Sequence, residues 1–428
     1  MKYIIATLGC KVNQYETQAM EALLRAHGHR EAAEGERADA VIVNSCAVTA
    51  ESGRKTRQTV RHLAEEHPGA VIAVCGCYSQ LEPEAVKALG AKVIFGSADR
   101  QRFVSAVEEA VAAGEESLYI DKPFERRVFE ELRAGALAGR TRAMLKIQDG
   151  CVNFCSYCII PYTRGRLRSL PVESACDETR RLAAQGFREL VLTGIEVASY
   201  GLDLPGKPTL ADLVCAVASV SGDMRIRLSS LEPTAVTDEF CEKLASTGKV
   251  CPHFHLSLQS GCDKTLKAMN RKYDTAQFFA VTERLRRAFP GCALTTDLIT
   301  GFPGETEADH AETLAFIEKC AFADMHIFPY SRRPGTKADS MPNQNTAAVK
   351  SRRAAEAQEV CARMRERYLS AQIGRELQVL FESALGDGSL GHSENYLSVR
   401  VAERDLHGQV KTVKITGVSR EELVGFTV

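Results

Sequence analysis

Three cysteines in one short loop constrain this chain more than any other feature. Cys151, Cys155 and Cys158 lie in Gly150-Cys151-Val152-Asn153-Phe154-Cys155-Ser156-Tyr157-Cys158, directly after the strand-like run Ala143–Gln148. A loop carrying glycine and asparagine is a poor place to bury three thiols as core filler. Three thiolates at this spacing can ligate three irons of a [4Fe–4S] cluster, leaving the fourth iron open to a small ligand. Zinc would need a fourth ligand close by, and the next histidine is His253. If the preceding strand belongs to a barrel, the loop sits at the strand end where such folds place chemistry.

The rest of the composition is compatible with that chemistry. There are 15 cysteines among 428 residues, an odd number in a long chain. A disulfide framework is therefore not expected, and metal ligation or redox work explains some of the thiols. No apolar stretch is long enough to span a bilayer, and the first residues lack the pattern of a secretory signal. A cytoplasmic protein with no membrane association is expected. The formal net charge of -1 does not by itself announce a nucleic-acid partner.

Two stretches alternate strand-like and helix-like patterns, so the fold class is α/β. In residues 1–120 the apolar runs Tyr3–Leu8, Ala40–Asn44, Ala70–Cys75 and Lys92–Phe95 are each followed by a helical pattern, as expected for an N-terminal parallel α/β domain. Residues 121–141 are charged and irregular and read as a linker. Residues 142–372 carry six strand candidates, beginning with Ala143–Gln148 and ending with Asp324–Phe328. They fit a central partial (β/α)6 TIM-type barrel with a basic helical extension. Alternation of polar and apolar residues in Met224–Ser229 and His253–Gln259 gives the barrel a polar inner face. His253 and His255 share that face and are read as polar lining. Residues 373–428 read as a small all-β barrel.

Cys10, Cys46 and Cys77 form a second set. Each follows one of the N-terminal strand candidates, and parallel strands present their C-terminal ends along one edge. Each also has a glycine or serine before it: Gly9, Ser45 and Gly76. This predicts a second cluster. Cys75 competes with Cys77 but remains inside the apolar run. The other cysteines share no spacing and are expected to fill the core.

The loop at Cys151 resembles the CxxxCxYC motif of the radical S-adenosylmethionine superfamily. Thr7-Leu8-Gly9-Cys10-Lys11-Val12-Asn13-Gln14-Tyr15-Glu16-Thr17, Asn44–Thr49, Gly76–Gln80, Ile159–Gly165, His255–Gly261 and Gly301–Thr306 together resemble the methylthiotransferase family. Glu394-Asn395-Tyr396 is similar to part of an RNA-binding TRAM domain. The resemblance implies replacement of C–H by C–SCH3. It implies two [4Fe–4S] clusters, on Cys151, Cys155, Cys158 and on Cys10, Cys46, Cys77. One S-adenosylmethionine would donate the methyl group and a second would be the radical source. A reductant and a sulfur donor are implied as partners. Gly194, Glu196, Ser230, Gln259 and Ser260, near strand ends, are the candidates for cofactor contact. Glu196 departs from the polar residue frequent in relatives, and Ser79 departs from a commoner alanine.

Leu8–Asn13 is most similar to the branch acting on N6-threonylcarbamoyladenosine next to the anticodon, which makes the tRNA anticodon stem-loop the expected partner. Isopentenyladenosine in tRNA and a ribosomal protein side chain stay open as substrates, as does a cluster-bearing RNA-binding protein without turnover. Residues 140–168 carry six basic residues, Arg140, Arg142, Lys146, Arg164, Arg166 and Arg168, against the single acid Asp149. They are expected to meet a phosphate backbone. Residues 331–372 add nine basic residues against four acids, whereas the segment from Ile373 has six against eight.

Overall fold

The computed structural model describes residues 1–134 and 141–428. Two compact units are formed. The first takes the described part of Met1–Leu137 together with Lys146–Leu170 and Ser331–Asp339, and the second takes the described part of Ala138–Leu145 with Pro171–Tyr330 and Ser340–Val428.

In chain order the first unit contains β1 (Lys2–Thr7), α1 (Lys11–Ala26), β2 (Arg30–Glu31), β3 (Ala40–Ser45), α2 (Ala50–Glu66), β4 (Val71–Gly76), α3 (Cys77–Leu81), α4 (Pro83–Lys87), β5 (Val93–Phe95), α5 (Arg100–Ala113) and β6 (Ser117–Tyr119). The strands form one parallel sheet in the order β2-β1-β3-β4-β5-β6. Both faces are covered. Tyr3, Ile42, Ala73 and Phe95 meet Met20, Leu24 and Phe103 on one side. Val41, Val43, Ile72 and Val74 meet Val60 and Tyr78 on the other. A sheet buried on both faces needs continuous rather than alternating apolar runs, which is what these strands carry. Each fully buried large side chain contributes about 1.5–3 kcal/mol.

Residues 121–134, read from sequence as linker, are fixed. Pro123–Glu125 makes a 3-10 turn. Arg126 donates to Asp121 and, at 2.9 Å each, to Ser97 Oγ and Gln80 Oε1. Phe129 and Ala134 are buried. Charge made this stretch look like a spacer, but its charges are consumed by local partners. Residues 135–140 of the expected linker, Arg140 included, lie outside the described residues.

Next come β7 (Arg142–Asp149), α6 (Ile160–Arg164) and β8 (Arg168–Ser169). The second unit then runs α7 (Val172–Ala184), β9 (Glu189–Gly194), α8 (Leu210–Val220), β10 (Arg225–Leu228), α9 (Asp238–Ser246), β11 (His253–Gln259), α10 (Asp263–Ala268), α11 (Thr275–Ala288), β12 (Ala293–Thr300), α12 (Glu307–Cys320), β13 (Asp324–Pro329) and α13 (Ala347–Ser370). β9 pairs with β10, and β11, β12 and β13 pair in that order, all parallel. Bridges at Ile226–Val250 and Leu231–Leu256 join the two groups. This is the expected open α/β barrel.

The unit ends in β14 (Glu376–Leu385), β15 (Gly388–Ser393), β16 (Ser398–Val401), β17 (Val410–Ser419) and β18 (Glu422–Thr427), a closed barrel in the order β14-β15-β16-β18-β17. Its core is Leu377, Val379, Phe381, Val399, Val413, Ile415 and Leu423. The residues that resemble a TRAM motif turn inward. Asn395 donates to Tyr368 Oη at 3.0 Å. The Tyr396 ring lies beneath the Arg227 guanidinium at 4.7 Å and against His253 at 5.0 Å. Arg225 and Arg227 bind buried Glu189 and also donate to the carbonyls of Gln378 and Glu394. Those motif residues anchor the module to the polar inner strands of its own unit.

Candidate cluster sites and cofactor contacts

The N-terminal cysteines gather through backbone geometry. Matched registers align the ends of β1, β3 and β4, with Thr7 opposite Asn44 and Ser45 opposite Gly76. Two glycines allow the loops beyond to close. A Cβ on Gly9, at φ 106°, would lie 2.8 Å from Cys46 Sγ, and one on Gly76, at φ 105°, would lie 2.4 Å from the Ser45 carbonyl. Both φ values also favour glycine. Cys10 caps α1 and Cys77 begins α3. Burial pushes the Cys46 thiol up to about 11, and the nearby Cys77 and Cys10 add to the rise. Burial raises Cys10 as well, again with Cys77 adding. A set of thiols gathered in this way, with Cys46 and Cys77 buried and Cys10 at the surface, suits a cationic metal core. Cys75 points away, into the core beside Met20 at 4.0 Å, and burial pushes its thiol up to about 12.

The loop Cys151–Cys158 belongs to the same unit. Cys151 N donates to Gly165 O at 3.0 Å and Cys158 N to Cys155 O at 2.9 Å, which folds the loop on itself. Ala338 N donates to Ser156 O at 2.7 Å. Phe154, at φ 46°, stacks on Phe124 and abuts Tyr162. Phe154 and Tyr162 are 40% and 44% exposed, so a partly open aromatic face adjoins the loop.

Neither triad has the spacing of a mononuclear zinc site, in which tetrahedral bonds of about 2.3 Å put sulfurs about 3.8 Å apart. Among the described residues, the only His, Cys, Asp or Glu group with all donor atoms within 4.8 Å is His255, Asp297 and His326. His255 Nε2 lies 3.3 Å from Asp297, and its Nδ1 is 3.0 Å from Thr295 Oγ1, consistent with a polar barrel wall. The donor chemistry and wider spacing of both cysteine sets fit a sulfur-bridged multinuclear cluster.

Sequence reasoning misplaced the basic residues. Lys146, Arg164 and Arg168 are buried. They surround Glu16 and Asp149, with Lys146 3.3 Å from each carboxylate and Arg164 and Arg168 3.4 and 3.5 Å from Asp149. Arg100 reaches Glu16 at 2.8 Å. Burial opposes ionisation of Glu16, but Arg100, Arg164 and Lys146 prevail and hold it well below the carboxylate range. Asp149 is held low in the same way by Lys146, Arg164 and Arg168. Arg142 pairs with Glu382 at 2.6 Å. Of the described basic residues in 140–168, only Arg166 is exposed. These charges are an internal lattice and not a phosphate-binding face. Removing one member of such a set costs about 3–5 kcal/mol, because it strands a buried charge. The region 331–372 is also largely paired, as in Arg332–Asp339, Arg352–Glu356 and Arg367–Glu318.

In the second unit the proposed cofactor contacts lie at strand ends. Gly194 ends β9, and Glu196 follows it and accepts from Ser199 Oγ. Burial raises the Glu196 carboxyl to about 7, and Glu232 contributes in the same direction. Arg271 joins this group by pairing with Glu232 at 2.6 Å and donating to Ser257 O at 3.0 Å. Gln259, at φ 70°, and Ser260 are buried, and Ser230 is exposed. Sequence reasoning missed Glu232 and Arg271.

Two family models match this chain. Residues 145–317 match the Radical SAM superfamily, and residues 2–96 match the uncharacterized protein family UPF0004. A threonylcarbamoyladenosine tRNA methylthiotransferase of Bacillus subtilis is 37% identical over 417 residues, covering 96% of this chain and 92% of that relative. The chain belongs to the radical SAM methylthiotransferase family. Another member, a tRNA-2-methylthio-N(6)-dimethylallyladenosine synthase of Maricaulis maris, is 35% identical, covering 99% of this chain and 96% of its own. The solved radical S-adenosylmethionine methyltransferase TsrM of Kitasatospora setae aligns with TM-score 0.59 at 14% identity, covering 79% of this chain and 75% of that one, and shares the fold. Among the described residues no helix is long and apolar enough to cross a membrane.

Proposed function

We propose that this family member converts N6-threonylcarbamoyladenosine beside the tRNA anticodon to its 2-methylthio derivative in the cytoplasm, using a reductant and a sulfur donor. The observation that supports the methylthio part is the second thiol triad, exposed Cys10 with buried Cys46 and Cys77, in the same unit as the Cys151–Cys158 loop. Each triad would hold one [4Fe–4S] cluster. When bound, cluster and S-adenosylmethionine supply the radical that opens an unactivated C–H bond and the methyl group that completes the product. The division of labour follows the sequence stretches: 1–120 for sulfur, 142–372 for radical chemistry, and 373–428 as the TRAM-like module.

The chain's own residues bind and orient. Glu196, Gln259, Ser260, Gly194 and Ser230 contact the cofactor, with Glu196 accepting a hydrogen bond. The exposed Phe154 and Tyr162 offer faces on which unpaired bases of an RNA loop stack. The threonylcarbamoyl assignment is supported by Leu8–Asn13 and by relatives such as that of Bacillus subtilis.

A Glu196→Gln substitution is expected to weaken S-adenosylmethionine binding about tenfold, the scale of one charged hydrogen bond. Because Glu196 ionises near 7, wild-type affinity should rise as pH increases through that value, while E196Q should be flat. Equal affinity and pH response in calorimetry would remove Glu196 from the contact set. The substrate is tested by giving reduced enzyme, S-adenosylmethionine and sulfide separately to threonylcarbamoylated tRNA, isopentenylated tRNA and ribosomes. Methylthiolation of the first is expected. Product only from the second or third would reassign the branch.

A further inference from the structure

Arg164 is a residue of the α6 turn that follows Cys158, yet its side chain ends at the other triad. Nε donates to Cys77 Sγ at 3.3 Å, one terminal nitrogen donates to Asn13 Oδ1 at 2.9 Å, and both terminal nitrogens bind Glu16. Asn13 is tied to the Cys10 and Cys46 loops through Leu8 O at 2.8 Å and Ser45 O at 3.0 Å. On the other side Arg164 meets Asp149, whose carboxylate accepts from Gly150 N at 2.8 Å, just ahead of Cys151. One fully buried guanidinium therefore connects both cysteine sets.

The charge around it is unbalanced. Arg100, Lys146, Arg164 and Arg168 face the carboxylates of Glu16 and Asp149, with Glu130 accepting from Arg100 N. A second guanidinium, Arg333, is near Cys46, and its buried Nε has no hydrogen-bond partner. Excess buried cation is costly unless an anion completes the set. The group to which Arg164 Nε points is the Cys77 sulfur.

We propose that Arg164 is a positioning residue that, assisted by Arg333, neutralises anionic sulfur at the N-terminal triad, sets the reduction potential of the cluster held there, and couples it to the radical loop. This rests on the two-cluster reading above. Hydrogen bonds to cluster sulfurs and local charge are established controls of potential, and outer partners of metal ligands commonly matter 10–100-fold.

The test uses anaerobically reconstituted full-length protein. Midpoint potentials are measured by EPR-monitored titration in the Cys151→Ala, Cys155→Ala, Cys158→Ala background, so that only the N-terminal cluster reports. Arg164→Gln should retain that cluster and shift its potential negative, because a lost cation disfavours the added electron. Arg164→Lys should restore most of the shift. Arg333→Gln strands no buried carboxylate and should shift the potential in the same direction by less, which covers the case in which R164Q does not fold. With the radical loop intact, R164Q or, failing it, R333Q should raise 5′-deoxyadenosine formed per methylthiolated nucleoside, by about tenfold for R164Q. A bound cluster whose potential moves in neither variant overturns the proposal alone. A wild-type N-terminal triad that binds no iron overturns the two-cluster reading and the proposal with it.

Discussion

Replacing Cys151, Cys155 and Cys158 together by alanine is expected to abolish 5′-deoxyadenosine formation and to remove about half of the iron, one of two four-iron clusters. The loss should be complete because, under the proposed assignment, these thiols would leave one iron open to S-adenosylmethionine. The fold should survive. Gly150, Asp149 and Arg164, which brace the loop, remain, and a methyl replaces each thiol at positions that are only partly buried. Iron analysis, circular dichroism and product assay on the same preparation check all three points. Continued cleavage of S-adenosylmethionine would refute the radical-site assignment.

The Cys10, Cys46, Cys77 triple alanine variant should behave in the complementary way. It loses the other half of the iron and all methylthio product, yet still cleaves S-adenosylmethionine without productive transfer. Cys75→Ala is the internal control. Its thiol faces Met20 inside the apolar core, so both clusters should persist with only a modest loss of stability. Unchanged iron in the triple variant would return these cysteines to a packing role. Loss of the N-terminal cluster in the Cys75→Ala protein would mean that Cys75, at the end of β4, and not Cys77 is the third ligand.

Much of this site could be read from the chain because local constraints wrote it there. The Cys151–Cys158 spacing lies within a single loop, and the short continuous apolar runs before Cys46 and Cys77 have the length and composition of parallel strands buried on both faces. What could not be read was the direction in which charges point. Lys146, Arg164 and Arg168 looked like an RNA footprint. Glu16 pairs with Arg100, Lys146 and Arg164 across 84 to 148 residues of sequence, so nothing local announces it. The signal that was present is motif membership. Glu16 and Arg164 both sit inside the stretches that resemble the family, and neither is a cysteine or a glycine, which leaves an interior electrostatic role as the physical explanation. Tyr396 shows the same limit, because the TRAM-like resemblance suggested RNA contact and its ring instead packs under Arg227.

The most direct test of the central claim is mass spectrometry of nucleosides from total tRNA of a strain lacking this protein. 2-Methylthio-N6-threonylcarbamoyladenosine should disappear and N6-threonylcarbamoyladenosine should accumulate in its place. Wild-type protein supplied in trans should restore the methylthio nucleoside, and the Cys151, Cys155, Cys158 triple alanine variant should not. An unchanged level of the methylthio nucleoside in the deletion strain, or its restoration by the triple variant, would contradict the account.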